Sequence, residues 1–157
     1  MQRASLIGLK MVLVLVGLYS LYISLDFGIG GFETLGWQGA PPQVADANNL
    51  RYGVQDSHFR FLAGVFGTLG VCILLAVRDL AKYRLLLQTI FSTFIVGGLL
   101  RFSANNFAVL FSSELLIALI AEIGLMLGLH WWLRQALKSD LLATTAQPRA
   151  GQEVAHP

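Results

Sequence analysis

Four long apolar runs govern what this chain can become. Met11–Leu25 extends backward past Lys10 toward Leu6, and Phe59–Val77 has one charge, Arg60, near its start. Leu85–Leu100 is uncharged and is followed by Arg101 and Phe102; Phe107–Leu133 carries Glu114 and Glu122. A helix needs about 20 mostly apolar residues to cross a bilayer. None of the four runs alternates polar and apolar residues with period two, which argues against a membrane barrel. Of the 157 residues, 55% are hydrophobic and 13% charged. A soluble domain carries about 25% charged residues, so this chain lacks the polar surface that a soluble fold of its size must cover. The expected fold is all-α: an integral-membrane four-helix bundle with helices over about 6–26, 59–77, 85–102 and 107–133. The first run is expected to stay in the protein as a helix, because it lacks the small-residue cleavage site of a signal peptide.

Basic residues orient the bundle. With four crossings, the N-terminus, the turn between helices two and three and the C-tail share one side, which holds Arg3, Lys10, Arg78, Lys82, Arg84, Arg134, Lys138 and Arg149. The other side holds Arg51, Arg60 and Arg101. Lysine and arginine gather on the cytoplasmic face, so both termini of a multi-pass protein are expected in the cytoplasm. A reporter enzyme fused after residue 140 reads this out. The 33 residues from Asp26 to His58 form the outer loop, with a short helix expected after Pro42 that can run into helix two. Residues 1–137 form the transmembrane domain, and 138–157, rich in Ala, Gln, Thr and Pro, read as a disordered cytoplasmic tail.

Several functions are disfavoured. The net charge of +2 comes without a basic block or stripe, so no nucleic-acid partner is expected. A single cysteine, Cys72, excludes thiol chemistry that needs cysteine pairs. His58 and His130 fall at opposite ends of the bundle and cannot share one haem, and no metal cluster, phosphate loop or nucleophile elbow occurs. No cofactor, metal or catalytic residue is assigned.

Polar residues at membrane depth are expensive and mark candidate sites. Topology gathers Arg60, Arg101 and Glu114 at the outer end, and Asp56 stands four residues before Arg60, a favourable helical ion-pair spacing. With His58, these residues form the candidate cluster. Its functional form is a pocket in which two guanidiniums bind an anionic or lipid headgroup; its structural form is an ion pair that fixes helix register. Glu122 falls near the midplane if helix four starts at Phe107, about 22 Å along the axis. No basic residue lies within reach at that depth, so a neutral, structural carboxyl is expected. Small residues suggest where helices approach closely: Ala63, Gly64, Gly67 and Gly70 on helix two, Gly97 and Gly98 on helix three, Ala118, Ala121, Gly124 and Gly128 on helix four. They serve packing within the bundle, or contact with a second copy or another membrane protein.

The run Ser57-His58-Phe59-Arg60-Phe61-Leu62-Ala63-Gly64, the segment Gly97-Gly98-Leu99-Leu100-Arg101 and the pair Glu114-Leu115 resemble a family of bacterial four-helix membrane proteins, domain of unknown function 4345. The resemblance covers roughly residues 8–135. It maps the family pattern onto Arg60, Gly64, Gly97, Gly98, Arg101 and Glu114, and implies a four-helix inner-membrane bundle without a known activity. The functional expectation is a non-catalytic binder of a lipid-like or anionic small molecule, with membrane lipid as partner, or an accessory subunit of a membrane assembly. The alternative is a small proton-coupled transporter using Glu114 and Glu122.

Overall fold

In the computed structural model, residues 2–34 and 50–145 are described, and all their regular structure is helical. Helix α1 spans Gln2–Gly30 and ends in a short 3-10 turn, Gly31–Glu33. Helix α2 spans Leu50–Ala76, and α3 spans Arg84–Leu100, followed by a 3-10 turn over Arg101–Ala104. The last crossing is interrupted. A four-residue helix, α4 (Phe107–Leu110), precedes α5 (Ser113–Leu119), a π-helical segment over Ile120–Leu125, and α6 (Met126–Thr145). Four stretches are long and apolar enough to cross a membrane: Ala4–Glu33, Leu50–Ala76, Arg84–Ala104 and Leu115–Lys138.

The helix bounds differ from the sequence reading at instructive places. Helix one runs on to Gly30 and helix two begins at Leu50, so part of the expected 33-residue loop is helix; residues 35–49, including the stretch after Pro42, lie outside the described residues. Leu50–Gln55 is too polar to read as part of an apolar run, yet it continues the backbone hydrogen bonding of α2 without a break. At the other terminus α6 extends to Thr145, well into the segment expected to be disordered. Ala143 to Thr145 lacks hydrophobic periodicity, but nothing in Leu137–Thr145 breaks a helix.

The most consequential difference is where the fourth crossing starts. The Ser112 side chain accepts a hydrogen bond from the Leu115 amide at 3.4 Å and caps α5. Asn106 caps α4 in the same way, accepting from the Val109 amide at 3.3 Å. The crossing therefore begins at Ser113 rather than at Phe107, which shifts every later residue about 9 Å toward the α3–α4 end.

The core occupies one half of the bundle. Leu9 and Leu13 of α1, Ile73 and Ala76 of α2, Leu87, Ile90, Phe91 and Phe94 of α3, and Met126, Leu129 and Leu133 of α6 form one buried cluster. All lie toward the end holding the α1 N-terminus and the α2–α3 turn, hereafter the closed end. Trp132 seals it, donating from its indole nitrogen to the Ser5 hydroxyl at 2.9 Å. At the opposite, open end, α1 and α2 stay tightly paired, whereas α5 packs chiefly on its neighbours in sequence.

The α1–α2 pairing rests on two glycines that face each other. A Cβ on Gly17 would stand 2.7 Å from Leu74 Cγ, and a Cβ on Gly70 would stand 2.9 Å from the Gly17 carbonyl oxygen. Gly67 meets Ser24 in the same seam, where an added Cβ would collide with Oγ and stand 2.8 Å from the serine Cβ. Of the glycines singled out in the sequence, Gly67, Gly70 and Gly98 are therefore at close approaches. Gly64, Gly97 and Gly128 have nothing within 4 Å of an added Cβ, and Gly124 meets only Ile120 of its own crossing, at 3.9 Å. Spacing alone does not tell a glycine that faces a helix from one on the outer surface.

Candidate functional site

Two ion pairs stand at the open end, and they do different work. Arg60 and Asp56 lie one turn apart on α2, with Arg60 Nε donating to Asp56 Oδ2 at 2.6 Å. The guanidinium then reaches across to the end of α1. Nη1 donates to the carbonyl oxygens of Gly28, at 3.1 Å, and Ile29, and Nη2 donates to that of Gly30 at 3.3 Å. Asp56 completes the clasp by accepting from the Phe32 amide at 2.8 Å. The last carbonyls of a helix have no partner within the helix and sit at the negative end of its dipole, so a guanidinium there is favourable on both counts.

Gly31 makes the clasp possible. Its φ is +64°, and an added Cβ would collide with Asp56 Oδ1 and stand 2.5 Å from Arg60 Nη2. Any larger residue would be strained in the backbone and would displace both charged groups. Beside the clasp, the Phe59 ring packs, tilted, between Phe27, at 4.9 Å, and Phe32, at 4.8 Å between ring centroids. Arg60 thus spends its nitrogens on Asp56 and the α1 terminus.

Arg101 pairs with Glu122. Nε donates to Oε2 at 2.7 Å and Nη2 to Oε1 at 2.5 Å, a bidentate contact between the end of α3 and the π-helical segment. The Glu122 side chain is 18% exposed and that of Arg101 37%. This corrects the reading of Glu122 as a carboxyl with no basic residue within reach. The shift of the fourth crossing by the Ser112 cap carries Glu122 to within one arginine side chain of the end of α3. The signal was present in the sequence: Ser112-Ser113-Glu114 is a helix-start pattern, with a capping hydroxyl followed by an acid in the first turn.

Gly98 sets the spacing between α3 and the π-helical segment, since an added Cβ would meet Ile123 Cγ1 at 2.8 Å and Glu122 Cβ at 3.1 Å. Arg101 follows Gly98 by three residues, close to one helical turn, on the same face. The π-helical stretch places Glu122 opposite this close approach; such bulges often sit at functional positions.

The expected outer cluster is accordingly divided. Arg60 and Asp56 form the clasp, Arg101 leaves that group for Glu122, and exposed His58 makes no hydrogen bond among the described residues. The backbone of Glu114 lies in the first turn of α5; its side chain is outside the described residues.

Above the closed-end core lies a cavity of about 900 Å³. Its walls are Val12, Leu15, Val16, Tyr19, Ser20, Tyr22, Ile23 and Phe27 of α1, Phe59, Leu62, Ala63 and Phe66 of α2, Phe94 of α3, Arg101, and Leu115, Ile117, Ala118, Ala121, Glu122, Leu125 and Met126 of the fourth crossing. The lining is overwhelmingly apolar, and Arg101 and Glu122 are its charged residues. Phe66 and Phe94, edge to face at 5.0 Å between centroids, stand where the cavity meets the core. Ser20, buried in the wall, returns its hydroxyl proton to the Val16 carbonyl at 2.9 Å. Arg60 does not line the cavity. Sequence reasoning missed the cavity and the part of Gly17 in building its α1–α2 wall. Among the described residues, no group of three or more potential metal ligands occurs.

The sequence profile of the family described as Domain of unknown function (DUF4345) matches residues 8–133. No curated protein and no solved structure matches the chain.

Proposed function

This chain belongs to the DUF4345 family, and we propose that it is a membrane-embedded binding protein whose open-end cavity holds a lipid-like molecule. The observation that carries this reading is the cavity of about 900 Å³, mostly apolar, with one bidentate ion pair as its charged feature and the hydroxyls of Ser20, Tyr19 and Tyr22 as its other polar groups. Ligand sites are typically concave, some 300–1,000 Å³ in volume, and lined by apolar and aromatic side chains with a few placed polar groups. The mostly apolar walls match a molecule drawn from the surrounding lipid. The distribution of basic residues supports cytoplasmic termini, which puts the cavity in the leaflet away from the cytoplasm; a bacterial inner membrane is what the family resemblance implies.

Two observations weigh against the proton-coupled transporter. The closed-end core, from Leu9 and Leu13 to Leu129 and Leu133, blocks a continuous polar path. Glu122, the carboxyl that such a path would use, is held in both oxygens by Arg101. An accessory-subunit role is favoured by one feature: Gly124, Gly128 and the 54% exposed Leu127 lie on an outward face of the fourth crossing, open to a partner helix.

Native mass spectrometry of protein released from lipid nanodiscs tests the binding reading. The wild type should retain a lipid-sized adduct. Ala118→Trp, which fills the cavity wall, should lose it, while Leu127→Trp on the outer face should keep it. A wild type with no adduct, or equal adducts in all three proteins, would contradict the proposal.

A further inference from the structure

The cavity's chemistry narrows its occupant, an inference that rests on the binding reading above. We infer that the ligand is an electrically neutral amphiphile whose polar head accepts a hydrogen bond, through an ester, ketone or hydroxyl oxygen, and that it enters sideways from the bilayer between α1 and α5.

The head-group class follows from the ion pair. Arg101 uses Nε and Nη2 on Glu122, and the pair is neutral as a unit. Nη1 makes no hydrogen bond among the described residues, so its donors are left for a bound molecule. An anionic head would gain that donor but would stand beside the Glu122 carboxylate in a low-dielectric wall, where like charges are costly. A cationic head would meet the guanidinium. A neutral acceptor takes the free donor and leaves the ion pair intact. The apolar remainder of the cavity suits one or more hydrocarbon chains.

The route follows from exposure. Six lining residues are exposed: Leu15, Tyr19 and Tyr22 of α1, at 65%, 51% and 56%, Ile117 and Leu125 of the fourth crossing, at 56% and 40%, and Leu62 of α2, at 60%. Five of the six lie on α1 and the fourth crossing, so the cavity gapes chiefly between these two elements. Its lips are mostly hydrocarbon, so the gap is suited to lipid chains rather than to water-borne solutes.

The test uses full-length protein in nanodiscs doped, at equal mole fraction, with three probes of one chain length: methyl palmitate, hexadecanesulfonate and hexadecane. Retention is read by native mass spectrometry. Methyl palmitate should be retained about tenfold more than either of the others, the value of one well-placed hydrogen bond. Arg101→Lys keeps a charge for Glu122 but lacks the third arm, and should erase most of the preference for the ester. Arg101→Leu combined with Glu122→Leu removes the pair without stranding a charge, and should hold ester and alkane equally. A sulfonate held more tightly than the ester would overturn the neutral-head assignment while leaving the cavity as a binding site. An unchanged ester preference in Arg101→Lys and in the double variant would overturn the role of Arg101. Retention of none of the probes, together with no native lipid, would instead remove the binding reading itself.

Discussion

Glu122→Leu is expected to lower the unfolding free energy by about 2–3 kcal/mol, and Arg101→Leu by a similar amount, while the double change returns close to wild type. Breaking a buried pair strands a charge and costs about 3–5 kcal/mol, whereas replacing both partners by apolar groups is often neutral. Arg101 is more than a third exposed, which reduces the single-variant cost. Denaturant or thermal unfolding in detergent measures all three variants. Strongly non-additive losses mark two groups that act as one unit; additive losses would mean that the contact carries no coupling. Glu122→Gln belongs on the same axis: an amide cannot neutralise the guanidinium, so it too should destabilise.

The α1–α2 seam gives the second large effect. Gly70→Leu would drive a branched side chain into the Gly17 carbonyl and Ser20, each 2.9 Å from the first added carbon. Overpacking costs about 1–3 kcal/mol when neighbours can yield; here one of the obstructing atoms is backbone, and a loss of about 3 kcal/mol or more is expected. Gly64→Leu and Gly128→Leu, with open space at the added Cβ, should change stability by less than about 0.5 kcal/mol. The same unfolding assay compares them. If Gly64→Leu proved as damaging as Gly70→Leu, α2 would be packing through a different face.

These two effects show which parts of the molecule were legible in the sequence. Four apolar runs fix four crossings, because length and hydropathy are properties of each segment alone. The Asp56–Arg60 pair was legible for the same reason: four residues on a helix is a local distance. What it clasps was not, since the carbonyls of Gly28 to Gly30 are brought there by tertiary packing. Arg101 and Glu122 could have been paired from the sequence only by seeing that Ser112 starts a helix. With Phe107 taken as the start, the apolar run concealed the break, because α4 is as hydrophobic as the crossing it precedes. Glycine spacing marked Gly67, Gly70 and Gly98 together with Gly64, Gly97 and Gly128, which face outward, because periodicity gives faces but does not say which face meets a neighbour. The cavity was invisible for a related reason. It is a failure of the helices to converge at one end, and Phe27, Phe59, Phe66 and Phe94 read as ordinary core residues in any linear pattern.

The central claim is that the open end is an occupied cavity rather than a loosely packed core. It is tested most directly by methyl nuclear Overhauser spectroscopy on full-length protein in nanodiscs with protonated lipid. Ile23 and Met126 line the cavity but are only 9% and 4% exposed, so bulk lipid has little access to their methyl groups. Leu13 and Leu133 are fully buried in the closed-end core and do not line it. Cross-peaks from hydrocarbon chain protons to the Ile23 and Met126 methyl groups, with none to Leu13 and Leu133, are the predicted result. Chain cross-peaks confined to outward-facing methyls such as Ile7 and Leu127, with none at Ile23 or Met126, would contradict it.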